Sequence, residues 1–223
     1  MMTMSISRVW VRMRRAAASL RGDSSGVAAT EFAVIVPLML VLFFGTVEFS
    51  SGVAVDRKVT MIARTLSDLT SQAPPPTPTT PYSIVNDAYL QNVFTASISI
   101  LTPYASTPVN TTISEIYVDT NKVATIKWSK AATVATGAQQ ATLATSSRNA
   151  GDVVTNLVPA ALLVKQTYLL FSEVSYRYTP TIGYVMSPSG VVLGDVAYTR
   201  PRQVTCVIYN NQPVTPPTLC PQT

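Results

Sequence analysis

The longest uninterrupted apolar stretch runs from Phe32 to Val47, FAVIVPLMLVLFFGTV, and carries no charge. Weaker apolar flanks at residues 27–30 and 49–55 lengthen it past the roughly 20 residues a helix needs to cross a bilayer at about 1.5 Å per residue. Beyond Glu48 the pattern changes. Val55, Val59, Ile62, Ala63, Leu66 and Leu69 recur every three or four residues, with Asp56, Arg57, Lys58, Arg64 and Asp68 mostly on other faces. This period predicts that the helix continues as an amphipathic stem to about Ser71. The run APPPTPTTP at residues 73–81 ends the helix and predicts an extended, polyproline-like spacer.

After the spacer, Ile84, Val85, Ala88, Tyr89 and Val93 fit a short helix over 82–94, capped by Ser83. Alternation over 95–101, 113–118, 123–128, 168–178, 183–192 and 204–209 predicts antiparallel strands separated by Pro, Gly and Asn turns. In the longest, Tyr168, Leu170, Val174, Tyr176 and Tyr178 share one face, and Phe171, Glu173 and Arg177 the other. Residues 139–148 and 153–163 are ambiguous between the two periods, the second favouring a helix. The expected fold class is α+β: a long N-terminal transmembrane helix continuing as a stem, then a domain with an antiparallel sheet and a few short helices. The segments are a basic leader (1–26), the membrane helix (27–50), the stem (51–72), the Pro/Thr linker (73–81) and the domain (82–223).

Composition sharpens this picture. Charged residues are only 12% of the chain, about half the usual ~25%, while 47% apolar residues are enough for a real core. The net charge of +5 comes from Arg8, Arg12, Arg14, Arg15 and Arg21, all ahead of the apolar run. That is an orientation signal, not a nucleic-acid footprint: it places the N-terminus in the cytoplasm and everything after the span outside. A cleaved secretory signal ending near Gly52-Val53-Ala54 competes with this reading. The absence of histidine removes imidazole catalysis and His-metal sites, and no cofactor or enzymatic activity is expected. Cys206 and Cys220 read as one disulfide in an oxidising compartment, or as two separate buried thiols if the region stayed in the cytoplasm. Closing that loop is worth about 3 kcal/mol by chain entropy. Trp128 reads as a core or interface anchor.

The chemistry-bearing residue is Glu31, inside GVAATEFA at residues 26–33. A carboxylate there costs about 2.5–3.5 kcal/mol at the bilayer centre and less near the interface, so it either snorkels to the headgroups or has a partner. Cleavage after Gly26 would leave Glu31 fifth in the mature chain, followed by the aromatic Phe32. Pro37 removes one helical hydrogen bond in the span, and Glu48 marks its outer edge.

The stretch GVAATEFAVIVPLMLVLFFGTVEF resembles the N-terminal signature of TadE/TadG-like assembly proteins of the Tad pilus, which are pseudopilin-like. The resemblance implies a structural role in assembly, with Glu31, Phe32 and Pro37 in the packing helix. It implies a processing site between Gly26 and Val27 for a prepilin peptidase, although larger members of the family remain uncleaved. It also implies as partners other pilus subunits or inner-membrane platform proteins, with the helix in membrane lipid and no nucleic acid bound. Glu31 would neutralise the α-amino group of a neighbouring subunit within lipid. The segments EVSYRY (173–178) and YTRPR (198–202) resemble the C-terminal region of the same proteins. There Arg200 and Arg202 would grip a partner carboxylate, or else pair with Glu173 or Asp195. The competing function is a signal-anchored periplasmic binding domain for a glycan or peptide, unrelated to pili.

Overall fold

A computed structural model describes residues 6–20, 25–180, 189–209 and Cys220, and divides into two compact units, Met1–Glu48 and Phe49–Thr223. The first holds helix α1 (Ile6–Leu20) and the opening turns of α2 (Ser25–Ser71), a 47-residue helix with Pro37 inside it. Helical residues 49–71 belong to the second unit.

In that second unit, Val55, Val59, Ile62, Ala63 and Leu66 are fully buried, as are Ser67, Thr70 and Ser71. The i, i+4, i+7 spacing that predicts a stem thus becomes one wall of the main core. Four of these eight residues are Ala, Ser or Thr, and small side chains let the helix axis come close to the sheet. The Ser172 hydroxyl donates to the Ala63 carbonyl at 2.6 Å, and Ser67 and Thr199 hydroxyls meet at 3.0 Å. A helical carbonyl already accepting from its own turn has a second lone pair for such a donor. Lys58 Nζ reaches the carbonyls of Ile100 and Thr102, at 2.7 and 2.8 Å. The compact unit therefore spans Phe49–Thr223, because an amphipathic helix keeps its apolar stripe dry on its own domain when one is at hand.

The principal sheet has five antiparallel strands in the order β4-β3-β2-β5-β6: β2 (Val109–Val118), β3 (Ala124–Thr133), β4 (Thr142–Ala144), β5 (Thr167–Tyr178) and β6 (Val191–Thr199). Both faces are covered. Ile113, Leu170, Val174 and Tyr176 face the helices, whereas Ile116, Val118, Leu169 and Phe171 pack with Val154 and Val158 on the other side. In β3 the pairing skips Lys127, from Trp128↔Glu115 to Ile126↔Ile116. This bulge sends Trp128 and Ile126 to opposite faces although they are two apart.

A second, two-stranded sheet pairs β1 (Tyr82–Val85) with β7 (Cys206–Tyr209) in parallel. The expected helix over 82–94 is corrected accordingly: it starts at Asp87, its cap is Asn86, whose Oδ1 accepts the Tyr89 amide at 2.8 Å, and Ser83 lies in β1. Residues 95–101 are not a strand. Helix α3 (Asp87–Ile98) and a 3₁₀ turn (Ser99–Leu101) carry buried Leu90, Val93, Phe94, Ser97, Ile98 and Leu101, a helical period that overrides the local alternation.

Residues 153–163 are not a helix beyond a 3₁₀ turn at Ala160–Leu162. Their backbone, with 151–152, serves the open edge of β3 through Gly151 N–H to Ile126 O (2.8 Å), Ile126 N–H to Asp152 O (2.9 Å) and Val154 N–H to Ala124 O (2.8 Å). The Pro/Thr segment does not run extended throughout: Thr80 turns back to the Thr77 carbonyl at 3.1 Å, and Ala73 is buried. The strand expected at 183–192 falls mostly outside the described residues, and β6 begins at Val191. The strand expected at 204–209 exists as β7, with a parallel partner in place of an antiparallel one.

Because Val55 to Leu66 form a wall of the core, a fragment of residues 49–223 is expected to unfold cooperatively in urea, whereas one starting at residue 82 is expected to lose its cooperative transition. Leu66→Ala in the longer fragment should cost about 2–5 kcal/mol, and Met61→Ala, at an exposed position, less than about 0.5 kcal/mol. Equal midpoints for the two fragments would rule the stem out of the core.

Candidate assembly surface

Residues 26–47 of α2 are apolar on every side and exposed on every side: Phe32, Val34, Ile35, Leu38, Met39, Leu42 and Phe43 are all at least half exposed. None of the most apolar 18-residue stretch is buried, and α2 is the one helix among the described residues long and apolar enough to cross a membrane. Its few polar side chains are satisfied within the helix. The Thr30 hydroxyl donates to the Val27 carbonyl and that of Thr46 to Leu42, each at 2.8 Å. Such back-bonding is what a hydrocarbon solvent demands of a hydroxyl.

Glu31 is the exception. It is the single charged residue between 26 and 47, it is exposed, and it makes no hydrogen bond or ion pair with a described residue. Phe32 beside it is 69% exposed. Chemically this is an anionic acceptor on an apolar rod, suited to a cation from another chain. Pro37 has no N–H to donate to the carbonyl four residues back, yet the helix runs through it. A Cβ placed on Gly26 would meet nothing within 4 Å, so packing does not require glycine there. Glu48 is buried, at 4% exposure, instead of facing headgroups or water.

Arg200 and Arg202 do not come together. Arg202 forms an ion pair with Asp68, and its amide donates to the Ser71 carbonyl at 3.0 Å, so it holds the end of α2. Arg200 is exposed. Neither meets Glu173 or Asp195. Glu173 takes a two-pronged bond from Arg148, at 2.6 and 3.0 Å, and Asp195 accepts the Val196 amide at 2.8 Å.

Cys206 and Cys220 lie at disulfide distance, with Cα atoms 5.9 Å apart. Beside Cys206, β7 has one strand neighbour, so its far edge needs other partners. The Val207 amide donates to Glu115 Oε1 at 2.5 Å, and the Val207 carbonyl accepts from Trp128 Nε1 at 2.6 Å. Glu115 is buried, and loss of hydration pushes its pKa up to about 8; the bonds from Val207 and Trp128 and the charge of Lys127 only partly oppose this. The Tyr168 phenol is raised as well, first by burial and then by Glu115 and Tyr117. Glu115 was not singled out in the sequence, although it stands between Ile113 and Tyr117 on the strand positions that alternate with Ser114 and Ile116. A carboxylate in such a run is itself a signal.

An open cleft of about 600 Å³ lies over Asp87, Lys130, Arg148, Asn149 and Tyr209. Its charges answer one another: Lys130 sits 4.3 Å from the Tyr209 ring centre and 3.9 Å from Asp87, and Tyr209 donates to Asp87 at 2.5 Å. Among the described residues no group of three or more Cys, Asp or Glu is placed to hold a metal ion.

An exposed apolar segment at residues 26–47, long enough to cross a membrane and carrying one carboxylate, is joined in sequence to an α+β domain, an arrangement that fits a single-pass membrane protein. Residues 26–66 match the family model described as TadE-like protein, and over that segment the chain is similar to this family. The family is a pilus structural family, related to the Tad pilus. Comparison with curated proteins and with solved structures gives no match.

The Glu115 carboxyl binds its proton more tightly in the folded unit than at its ordinary value of 4.5. The folded state therefore holds more protons than the unfolded one between about pH 4.5 and 8, and stability falls as pH rises through that window, by at most ~1.4 kcal/mol per pH unit. Urea midpoints of the 49–223 fragment are expected to drop from pH 5 to pH 8. Glu115→Gln should flatten that slope, and a slope it leaves unchanged would remove Glu115 as its source.

Proposed function

We propose that this chain is a structural subunit, minor pilin or pseudopilin-like, of a bacterial Tad pilus. Its helix is anchored in the inner membrane with the N-terminus in the cytoplasm and the domain in the periplasm. The observation that carries this reading is Glu31, the lone carboxylate on the stretch of α2 from 26 to 47, which is otherwise apolar and exposed on every side. A membrane anchor alone gains nothing from it, since a charge facing lipid is a cost. A subunit that packs helix against helix gains a directional contact where charge pairing is strong. The match of residues 26–66 to the TadE-like family supports the same role.

Processing between Gly26 and Val27 is part of the proposal. Glycine at that position has no neighbour to avoid, so its use is better explained by a peptidase that needs a small residue before the cut. The new α-amino group at Val27 then becomes the cation that Glu31 of an adjacent subunit neutralises. Phe32 supplies apolar contact beside the pair, and Pro37 loosens the helix for packing. Arg200, exposed, is a contact point for a partner, whereas Arg202 acts within the chain.

Glu31→Leu is expected to insert in the membrane normally while recovery of the chain with other pilus components, and piliation, fall at least about ten-fold, equivalent to ~1.4 kcal/mol. Undiminished complexes would leave a plain anchor carrying a periplasmic glycan- or peptide-binding domain. N-terminal sequencing of protein from native membranes is expected to begin at Val27; an intact N-terminus would make α2 a permanent anchor, and a start near Val55 a secreted product.

A further inference from the structure

We propose that α1 is an interfacial helix that lies on the anionic lipid surface of the membrane entered by residues 26–47. Of the apolar residue types in this 15-residue helix, Val11 and Ala18 lie off the main stripe and Ala16 borders it, while those at 6, 9, 10, 13, 17 and 20 form the stripe itself. At 100° per residue they fall in one sector of about 100°. Arginines 8, 12 and 15 fall on the opposite side, and residues 6–20 contain no acid.

Trp10 and Met13 are 61% and 67% exposed and Ala17 is exposed too, so the stripe is uncovered at these positions. Arg14 stands at the border of the two faces, with its guanidinium 5.6 Å from the Trp10 ring centre. An indole beside an arginine at the edge of an apolar stripe suits the headgroup boundary, where the ring is half dry and the cation meets phosphate.

Two further facts select lipid over other partners. A nucleic acid would engage the arginines but leave the Trp10–Met13 stripe in water, whereas a bilayer surface covers both faces. And only residues 21–24 separate α1 from α2. At no more than about 3.6 Å per residue, that tether holds α1 within roughly 15–20 Å of the bilayer, at high effective concentration. A helix held there keeps the Gly26–Val27 bond at the membrane face.

This proposal rests on the membrane reading of residues 26–47, and one experiment separates the two. The full chain is reconstituted into vesicles of phosphatidylcholine alone, or with phosphatidylglycerol added. The emission of Trp10 is obtained as the difference between the chain and Trp10→Phe, which leaves Trp128 untouched. With phosphatidylglycerol, Trp10 is expected to shift to the blue and to be quenched about two-fold or more less by acrylamide. Arg12→Glu with Arg15→Glu should abolish the protection. Co-flotation with vesicles while Trp10 stays water-exposed in both lipids overturns the α1 proposal alone. Failure to co-float overturns both readings. Protection that is equal in detergent means a protein surface covers the stripe, and protection conferred by added RNA but not by lipid means a nucleic-acid contact; either overturns the proposal.

Discussion

The folded unit depends on the seam between the small-residue face of α2 and the central strands. Ala63, Ser67, Thr70 and Ser71 leave room for β5 and β6 to approach, and the Ser172 hydroxyl reaches the Ala63 carbonyl across it. A larger residue at 63 would hold the helix off and leave Val55, Val59, Ile62 and Leu66 over a gap, forfeiting contacts that a close-packed interior cannot recover elsewhere. The sheet in turn needs that cover, because the helix-facing side of β2 and β5 is apolar over most of its length. Lys58 and Arg202 fasten the helix near the two ends of the seam, one through carbonyls of the 3₁₀ segment, the other through Asp68.

One helix thus obeys two different rules along its length. From 26 to 47 it is apolar on all sides, with hydroxyls turned back onto its own carbonyls. From 55 to 71 it is apolar on one side and charged on the other. The first is the composition of a segment solvated by lipid or by other helices, the second that of a segment solvated by a core and by water. The family match covers both, from residue 26 to 66, and stops before the first strand. The likeness is therefore one of the helix, and it carries nothing about the sheet.

At the other end of the chain, β7 is held by unlike means. A parallel pair of four residues is a weak element by itself. Here it is reinforced by the cysteine pair and by Glu115 and Trp128, which take the two backbone groups of Val207. Burying a carboxyl there is tolerable because it stays protonated near neutral pH, so the core holds a neutral acid and not a bare charge. The same arrangement ties the packing of β7 to the protonation of Glu115.

The local pattern of residues determined the apolar helix, its continuation to Ser71, the isolated acid at Glu31 and the strands β2, β3 and β5, because each rests on periodicity or charge within a short window. The pairing of residues 82–85 with 206–209, the use of 151–154 to close the edge of β3, the face switch at Lys127 and the pairing of Arg202 with Asp68 were decided only by the tertiary structure. Each depends on a hydrogen-bond or charge partner distant in the chain or on the opposite strand, and no window of neighbouring residues contains it. Residues 95–101 show the rule most plainly: their alternation fits a strand, but the helix capped by Asn86 runs on and buries Ser97, Ile98 and Leu101 at helical spacing, and burial outweighs the local preference.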